Sequence, residues 1–201
     1  MARRADHSRE ELEALIVGAS RDIIAENGLS HLSTRRIAAE IGYSPGTIYN
    51  VFNDLDAVIS KVNTHTLKEL NATLSGLQMT DDALANARLV LAAYLEFQNS
   101  EPLLWVALVQ HSTKDYAGTD AGYAAQIEKA FAHVEAVLSP LFGPGHVDEV
   151  RVAVRVLWAS LQGISNLPPN APMLLMTGLT KQDLSIHLVE TYLRGIVAVE
   201  R

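Results

Sequence analysis

The chain has 201 residues, enough for one or two domains with a sizeable core, and at 48% hydrophobic and 19% charged it has a globular rather than a disordered composition. It contains no cysteine, which excludes disulfide frameworks, thiolate metal sites and cysteine nucleophiles. The net charge is −7, and residues 1–52 carry six Arg against seven Asp or Glu, so any grip on a polyanion must come from individually placed arginines and helix N-termini rather than from a basic domain.

The first thirteen residues are polar and charged, without the apolar core of a signal peptide. The longest uncharged stretch, Val156 to Thr180, holds Gln162, Asn166, Pro168, Pro169, Asn170 and Pro172, which rules out one continuous apolar helix of about 20 residues. The expectation is a cytoplasmic protein with no membrane partner.

Apolar positions recur with helical spacing nearly throughout, and no run alternates like a strand, so the predicted fold is all-α with about nine helices. Ser8 and Glu11 form a capping box ahead of an apolar stripe at Leu12, Ile16, Ala19, Ile23 and Ile24. Gly28 and Leu29 then read as a Schellman stop, with Leu29 able to touch Ile24. A second, short helix begins at Ser33, with Leu32 and Ile37 as a hydrophobic staple, and ends at Gly42. Ser44 and Pro45 are N-cap and first residue of a third helix of about two turns, ending at Val51 or Phe52. Asn53 and Asp54 offer caps for a fourth helix reaching Ser75. Beyond it, helices are expected at 81–99, 102–112, 121–141, 147–166 and 181–199, with breaks at 101–102, 114–120, 142–145 and 167–178.

Two short helices joined by Gly42-Tyr43-Ser44 match a helix-turn-helix. Ile37, Ala38, Ile41, Ile48 and Phe52 are placed to face inward, which leaves Thr34, Arg35, Ser44, Gly46, Thr47, Tyr49 and Asn50 outward. Short residues at the start of the third helix let its backbone approach DNA closely, and its open N–H groups favour anionic oxygen. Thr47 can meet a thymine methyl or a phosphate, Asn50 can bond an adenine edge, and Tyr49 can reach a phosphate.

The residues Asn27-Gly28, Thr34, Ile37, Ala38, Gly42, Ser44, Gly46, Thr47, Ile48, Tyr49 and Phe52 fall at the spacing of a known pattern, and the stretch from about Ser8 to Leu70 resembles the DNA-binding domain of the TetR (tetracycline-repressor-like) family. That resemblance implies phosphate contacts from Thr34 and Arg35 and a recognition role for Thr47, Tyr49 and Asn50. Many members place a Lys just after the Phe, where this chain has Leu55. The lost phosphate contact is expected from Arg3, Arg4 and Arg9, or is weaker.

The resulting expectation divides the chain into a helix-turn-helix domain over 1–53 and a helical effector-binding and dimerisation domain over 54–201. In the 147–166 helix one apolar stripe runs through Val150, Val154, Leu157, Leu161 and Ile164, and a second through Val152, Ala153, Val156, Ser160 and Gly163. The 181–199 helix is similar, with Leu184, Leu188, Tyr192 and Ile196 on one side and Ile186, Val189, Leu193 and Val197 on another. Helices so apolar need neighbours on two faces. The resemblance implies a homodimer through these two helices, on a palindromic double-stranded operator whose half-sites match the spacing of two reading heads. It also implies a pocket for a small-molecule effector of unknown identity, with candidate lining residues Tyr94, Phe97, Trp105, His111, Tyr123 and Trp158, aromatic groups with polar handles.

The seven His residues are scattered without metal-ligand spacing, and no nucleophile elbow, P-loop or dinucleotide fingerprint occurs. No metal, cofactor or catalytic residue is expected. The function expected is a DNA-binding transcriptional regulator, a repressor released by its effector. A helical binding protein with a silent reading head and an all-α enzyme are the alternatives.

Overall fold

The computed structural model describes residues 7–111, 121–168 and 170–199, and every regular element among them is helical. Arg3, Arg4 and the predicted break at 114–120 lie outside the described residues. The described residues form two compact units, one within residues 1–69 and 98–127 and one within 70–97 and 128–201.

In the first unit, helix α1 (Arg9–Asn27) opens on the predicted capping box. Ser8 Oγ accepts from the Glu11 N–H at 3.2 Å and Glu11 Oε2 accepts from the Ser8 N–H at 2.7 Å. These bonds hold the Glu11 carboxyl below its ordinary range. The far end differs from the expected Schellman stop. Gly28 has φ +83° but ψ 164°, so the chain leaves in an extended direction and makes a single 3₁₀ turn, Leu29–His31, before α2. Only glycine adopts that backbone cheaply.

The Schellman geometry occurs one helix later, at the end of α2 (Thr34–Ile41). Gly42 is left-handed (φ +73°, ψ 29°), its N–H reaches Ala39 O at 3.3 Å, and the Tyr43 N–H reaches Ala38 O at 2.8 Å. Ser33 Oγ caps the start of α2 by accepting from the Arg36 N–H at 3.2 Å. Helix α3 (Pro45–Val51) carries proline in its first turn. Asp54 Oδ1 accepts from the Ala57 N–H at 2.8 Å and so caps α4 (Leu55–Ser75).

The apolar faces of these helices meet in one core built on Ile16, Ile24, Ile37, Ile48, Phe52, Val58 and Val62, with Leu55 packed at its margin. The same core takes Leu104 and Ala107 from α6 (Pro102–Gln110). The helix expected at 102–112 therefore ends two residues early, with His111 as its C-cap.

In the second unit, α8 (Val147–Ser165), α10 (Lys181–Val199) and the parts of α5 (Ala83–Ser100) and α7 (Ala121–Phe142) that fall within 70–97 and 128–201 supply a core of Leu91, Leu95, Leu138, Val154, Leu157, Leu161, Val189 and Leu193. Arg88 clamps Glu190 with two hydrogen bonds of 2.5 and 2.9 Å, joining α5 to α10. Arg155 pairs with Glu135 and lies over the Phe131 ring, 4.3 Å from its centroid, joining α8 to α7. The stretch expected as a break at 167–178 contains a further short helix, α9 (Pro172–Thr177), which raises the expected nine α-helices to ten among the described residues. Pro172 at its first turn and left-handed Gly178 at its end are the ordinary start and stop signals, compressed into six residues.

On α8, Val150, Val154, Leu157 and Leu161 of the first stripe are buried and Ile164 is half-buried, while on the second Ala153 is buried and Val152 and Val156 are 62% and 44% exposed. On α10 the buried line is Ser185, Val189 and Leu193, and Ile186 is exposed.

Candidate nucleic-acid interface

Helix α3 has two faces with different fates. Ile48 is 1% exposed and, with Phe52, anchors the helix to the core, whereas Tyr49 is 56% exposed. Ser44, Gly46 and Asn50 are exposed and Thr47 is half-buried. The sequence order Gly-Thr-Ile-Tyr-Asn therefore turns one apolar side chain in and presents the polar ones outward.

Ser44 holds the N-cap position without the expected bond to a backbone N–H. Its hydroxyl instead lies 3.1 Å from Thr47 Oγ1, while its carbonyl accepts from the Thr47 N–H at 2.9 Å. The Ser44–Thr47 pair fixes the Thr47 rotamer at the front of the helix. On α2, Thr34 is half-buried at the first helical position and Arg35 is exposed, with no carboxylate partner among the described residues.

Two contacts that the sequence reading missed hold this head in place. His7 Nδ1 lies 2.7 Å from the Tyr43 hydroxyl, with the rings edge to face, which ties the chain ahead of α1 to the turn between α2 and α3. Arg9 Nη2 donates to Val51 O at 3.3 Å and so satisfies a terminal carbonyl of α3. The spacing of 36 and 42 residues leaves no local sequence signal for either contact. Arg21, the remaining described arginine of α1, is committed to Glu69 and Glu101 at 3.1 and 3.2 Å. Leu55 is half-buried against the core, so the start of α4 contributes packing where a lysine would contribute charge.

The six aromatic and histidine candidates for an effector pocket fall into both units. Trp105 and Tyr123 are buried in the first, and the His111 side chain there is 6% exposed. Tyr94 and Phe97 are half-buried in the second. Trp158, also in the second, is 45% exposed and packs edge-on against Phe131 at 5.7 Å between centroids. Burial raises the phenols of Tyr94 and Tyr123, keeping both protonated, and lowers His111 against the opposing pull of Asp56.

Helix α4 buries a set of polar side chains that were not expected from the sequence. Ser60, Asn63, Thr64, Thr66 and Asn71 are all buried. The available signal was their recurrence inside an otherwise apolar helical stripe. Among the described residues, no group of His, Asp and Glu side chains is arranged to hold a metal ion, and no helix is long and apolar enough to cross a membrane.

Residues 16–61 match the family model of bacterial regulatory proteins, tetR family. The whole chain resembles several solved structures. A protein of unknown function from Rhodococcus sp. RHA1 superposes with TM-score 0.70 at 18% identity, covering 96% of this chain and 98% of that one. A transcriptional regulator from the same organism gives 0.65 at 21% identity, with 92% and 96% covered. The TetR-family transcriptional regulator PfmR from Thermus thermophilus gives 0.63 at 16% identity, with 89% and 97% covered. Residues 16–61 thus match the family model of bacterial regulatory proteins, tetR family, and the chain as a whole shares the all-helical fold of these solved structures.

Proposed function

We propose that the protein is a cytoplasmic, sequence-specific transcriptional regulator that reads a palindromic operator as a homodimer and is released from it by a small-molecule effector. The observation that carries this reading is the outward face of α3, where Gly46, Tyr49 and Asn50 are exposed on a helix whose opposite side is locked into the core by Ile48. In the assignment, Thr34 and Arg35 take phosphates, with Ser44 and Thr47 at the front of the reading helix. Tyr49 reaches a phosphate and Asn50 an adenine edge.

Residues 1–53 are the reader in this scheme, and 54–201 hold the effector site and the dimer contact. The exposed apolar side chains Val152, Val156, Trp158 and Ile186 on α8 and α10 support an interface with a second copy. A two-fold dimer sets two reading heads about 34–36 Å apart, or a multiple of it, which is why the operator is palindromic. The burial of α6 residues Leu104 and Ala107 beside Ile37 and Ile48 supports a route by which a ligand near α6 alters the reading head. Repression with release, rather than activation, is the mode we assign, and no catalytic step is assigned.

Fluorescence anisotropy with DNA from upstream of the protein's own gene tests this function. Tight, sequence-selective and salt-dependent binding is expected. A helical binding protein with a silent head is the second reading, favoured by the Leu55 packing and the acidic balance of residues 1–52. In that case Tyr49→Ala with Asn50→Ala leaves DNA affinity unchanged.

A further inference from the structure

Helix α4 carries several buried polar side chains, and most have an ordinary explanation. Thr64 Oγ1 donates to Ser60 O at 2.7 Å and Thr66 Oγ1 to Val62 O at 3.2 Å, so both hydroxyls are satisfied by their own helix. Asn63 is different. It is fully buried, its Nδ2 lies 3.4 Å from His111 Nδ1 just past α6, and its Oδ1 has no hydrogen-bond partner among the described residues. His111 repeats the pattern, since its Nε2 is buried without a hydrogen-bond partner and stands 3.9 Å from Asp56 Oδ1, beyond bonding distance. Buried polar atoms are almost always bonded, so two open ones in a single touching pair need a reason.

We propose that Asn63 and His111 are the polar end of the effector site, and that the effector is a largely apolar molecule bearing an uncharged group that both donates and accepts a hydrogen bond, a hydroxyl or a carboxamide. The proposal rests on the ligand-responsive reading above and specifies its ligand. The hydrogen-bond inventory gives the class. If Asn63 donates from Nδ2 to His111 Nδ1, the imidazole proton sits on Nε2, and the pair leaves Nε2–H as a donor and Oδ1 as an acceptor. Turning the amide over makes Oδ1 accept from Nδ1–H, and leaves Nδ2 as a donor and Nε2 as an acceptor. Either way one donor and one acceptor remain open. The Asp56 carboxylate 3.9 Å from Nε2 favours the proton on that nitrogen and repels a ligand carboxylate, and an ammonium group meets the Nε2–H donor badly, whereas a hydroxyl or carboxamide answers both donor and acceptor. Burial disfavours the charged imidazole, against the opposing pull of Asp56. The residues next to the pair in the chain are apolar and buried, Ile59 and Val62 on α4 and Leu104, Trp105 and Ala107 on α6, and a ligand reaching the pair from this core needs an apolar body.

Both open atoms are buried, so a ligand that reaches them has to displace the side chains that cover them on α4 and at the end of α6. That movement bears on the reading head directly, because α6 contributes Leu104 and Ala107 to the core that holds Ile48 of α3.

Two measurements test the proposal. In the first, thermal melts compare the free wild type with Asn63→Leu/His111→Phe. A binding pair left open in the free protein is replaced without loss, so the double variant melts no lower than wild type. A melting temperature several degrees lower shows that the pair is a structural bridge and overturns the proposal. In the second, calorimetric titration uses a matched series: 1-octanol and octanamide against methyl heptyl ether, octanoate and octylammonium. The alcohol and the amide bind about tenfold more tightly than the ether and both ions, and the double variant loses the discrimination. Binding without head-group preference, preference for either ion, or no binding by any member overturns it. Neither measurement uses DNA, so a wild type that fails to read its operator defeats the regulator reading while leaving the head-group result to stand separately.

Discussion

Ile48 and Asn50 lie two residues apart on α3, and replacing each by alanine separates packing from reading. Ile48 is 1% exposed in the middle of the first unit's core. Truncating it removes three methyl or methylene groups and leaves a cavity between α1, α2 and α4, at a cost of about 2–5 kcal/mol. For a chain of this size that lowers Tm by about 4–20 °C. Asn50 is exposed, so Asn50→Ala changes stability by no more than about 0.5 kcal/mol. Loss of its adenine contact costs about 1–3 kcal/mol of operator binding, a factor of about 5–150 in Kd, and relaxes preference at one base pair. Thermal melts and anisotropy titrations on the two variants, at one salt concentration, measure both effects. The reasoning is refuted if Asn50→Ala melts as low as Ile48→Ala, or if it binds operator with wild-type affinity and selectivity.

Three further outcomes follow from the same structure. Gly42→Ala places a side chain in open space but on a left-handed backbone, so its cost is conformational, about 1–2 kcal/mol, and Gly42→Asn recovers part of it in thermal melts. Burial lowers His111 and, with Lys129, His133, so below about pH 7 the unfolded chain binds more protons than the folded one. Stability is therefore full above the ordinary histidine range and declines as pH falls through the lowered folded values, a slope that His111→Phe reduces in denaturant titrations at stepped pH. Val152→Glu with Val156→Glu alters side chains that are exposed in the single chain, so the fold survives, and sedimentation velocity shows monomer where the wild type shows dimer.

The parts of the fold that were legible in the sequence are those fixed by local chemistry. Ser8 with Glu11, Ser33, Pro45 and Asp54 each act within three residues, so their helices begin where the caps say. The apolar pair Ile48 and Phe52, one helical turn apart, was enough to infer which face of α3 is outward, because burying both fixes the rotation of so short a helix. At Gly28 the requirement for positive φ was readable but ψ was not, since it depends on where the following segment has to go. Helix α9 escaped because six residues hold too few turns for a periodic signal. The pairing of Asn63 with His111 escaped for another reason: it joins residues 48 apart, and only the packing of α6 against the head brings them together.

The central claim is that α3 reads a DNA groove in a two-fold arrangement, and hydroxyl-radical footprinting on the protein's own upstream DNA tests it most directly. The account predicts two symmetric protected half-sites, one helical turn or a whole multiple apart, both lost with Tyr49→Ala/Asn50→Ala. Uniform protection irrespective of sequence, or a footprint that survives the double substitution, would contradict it.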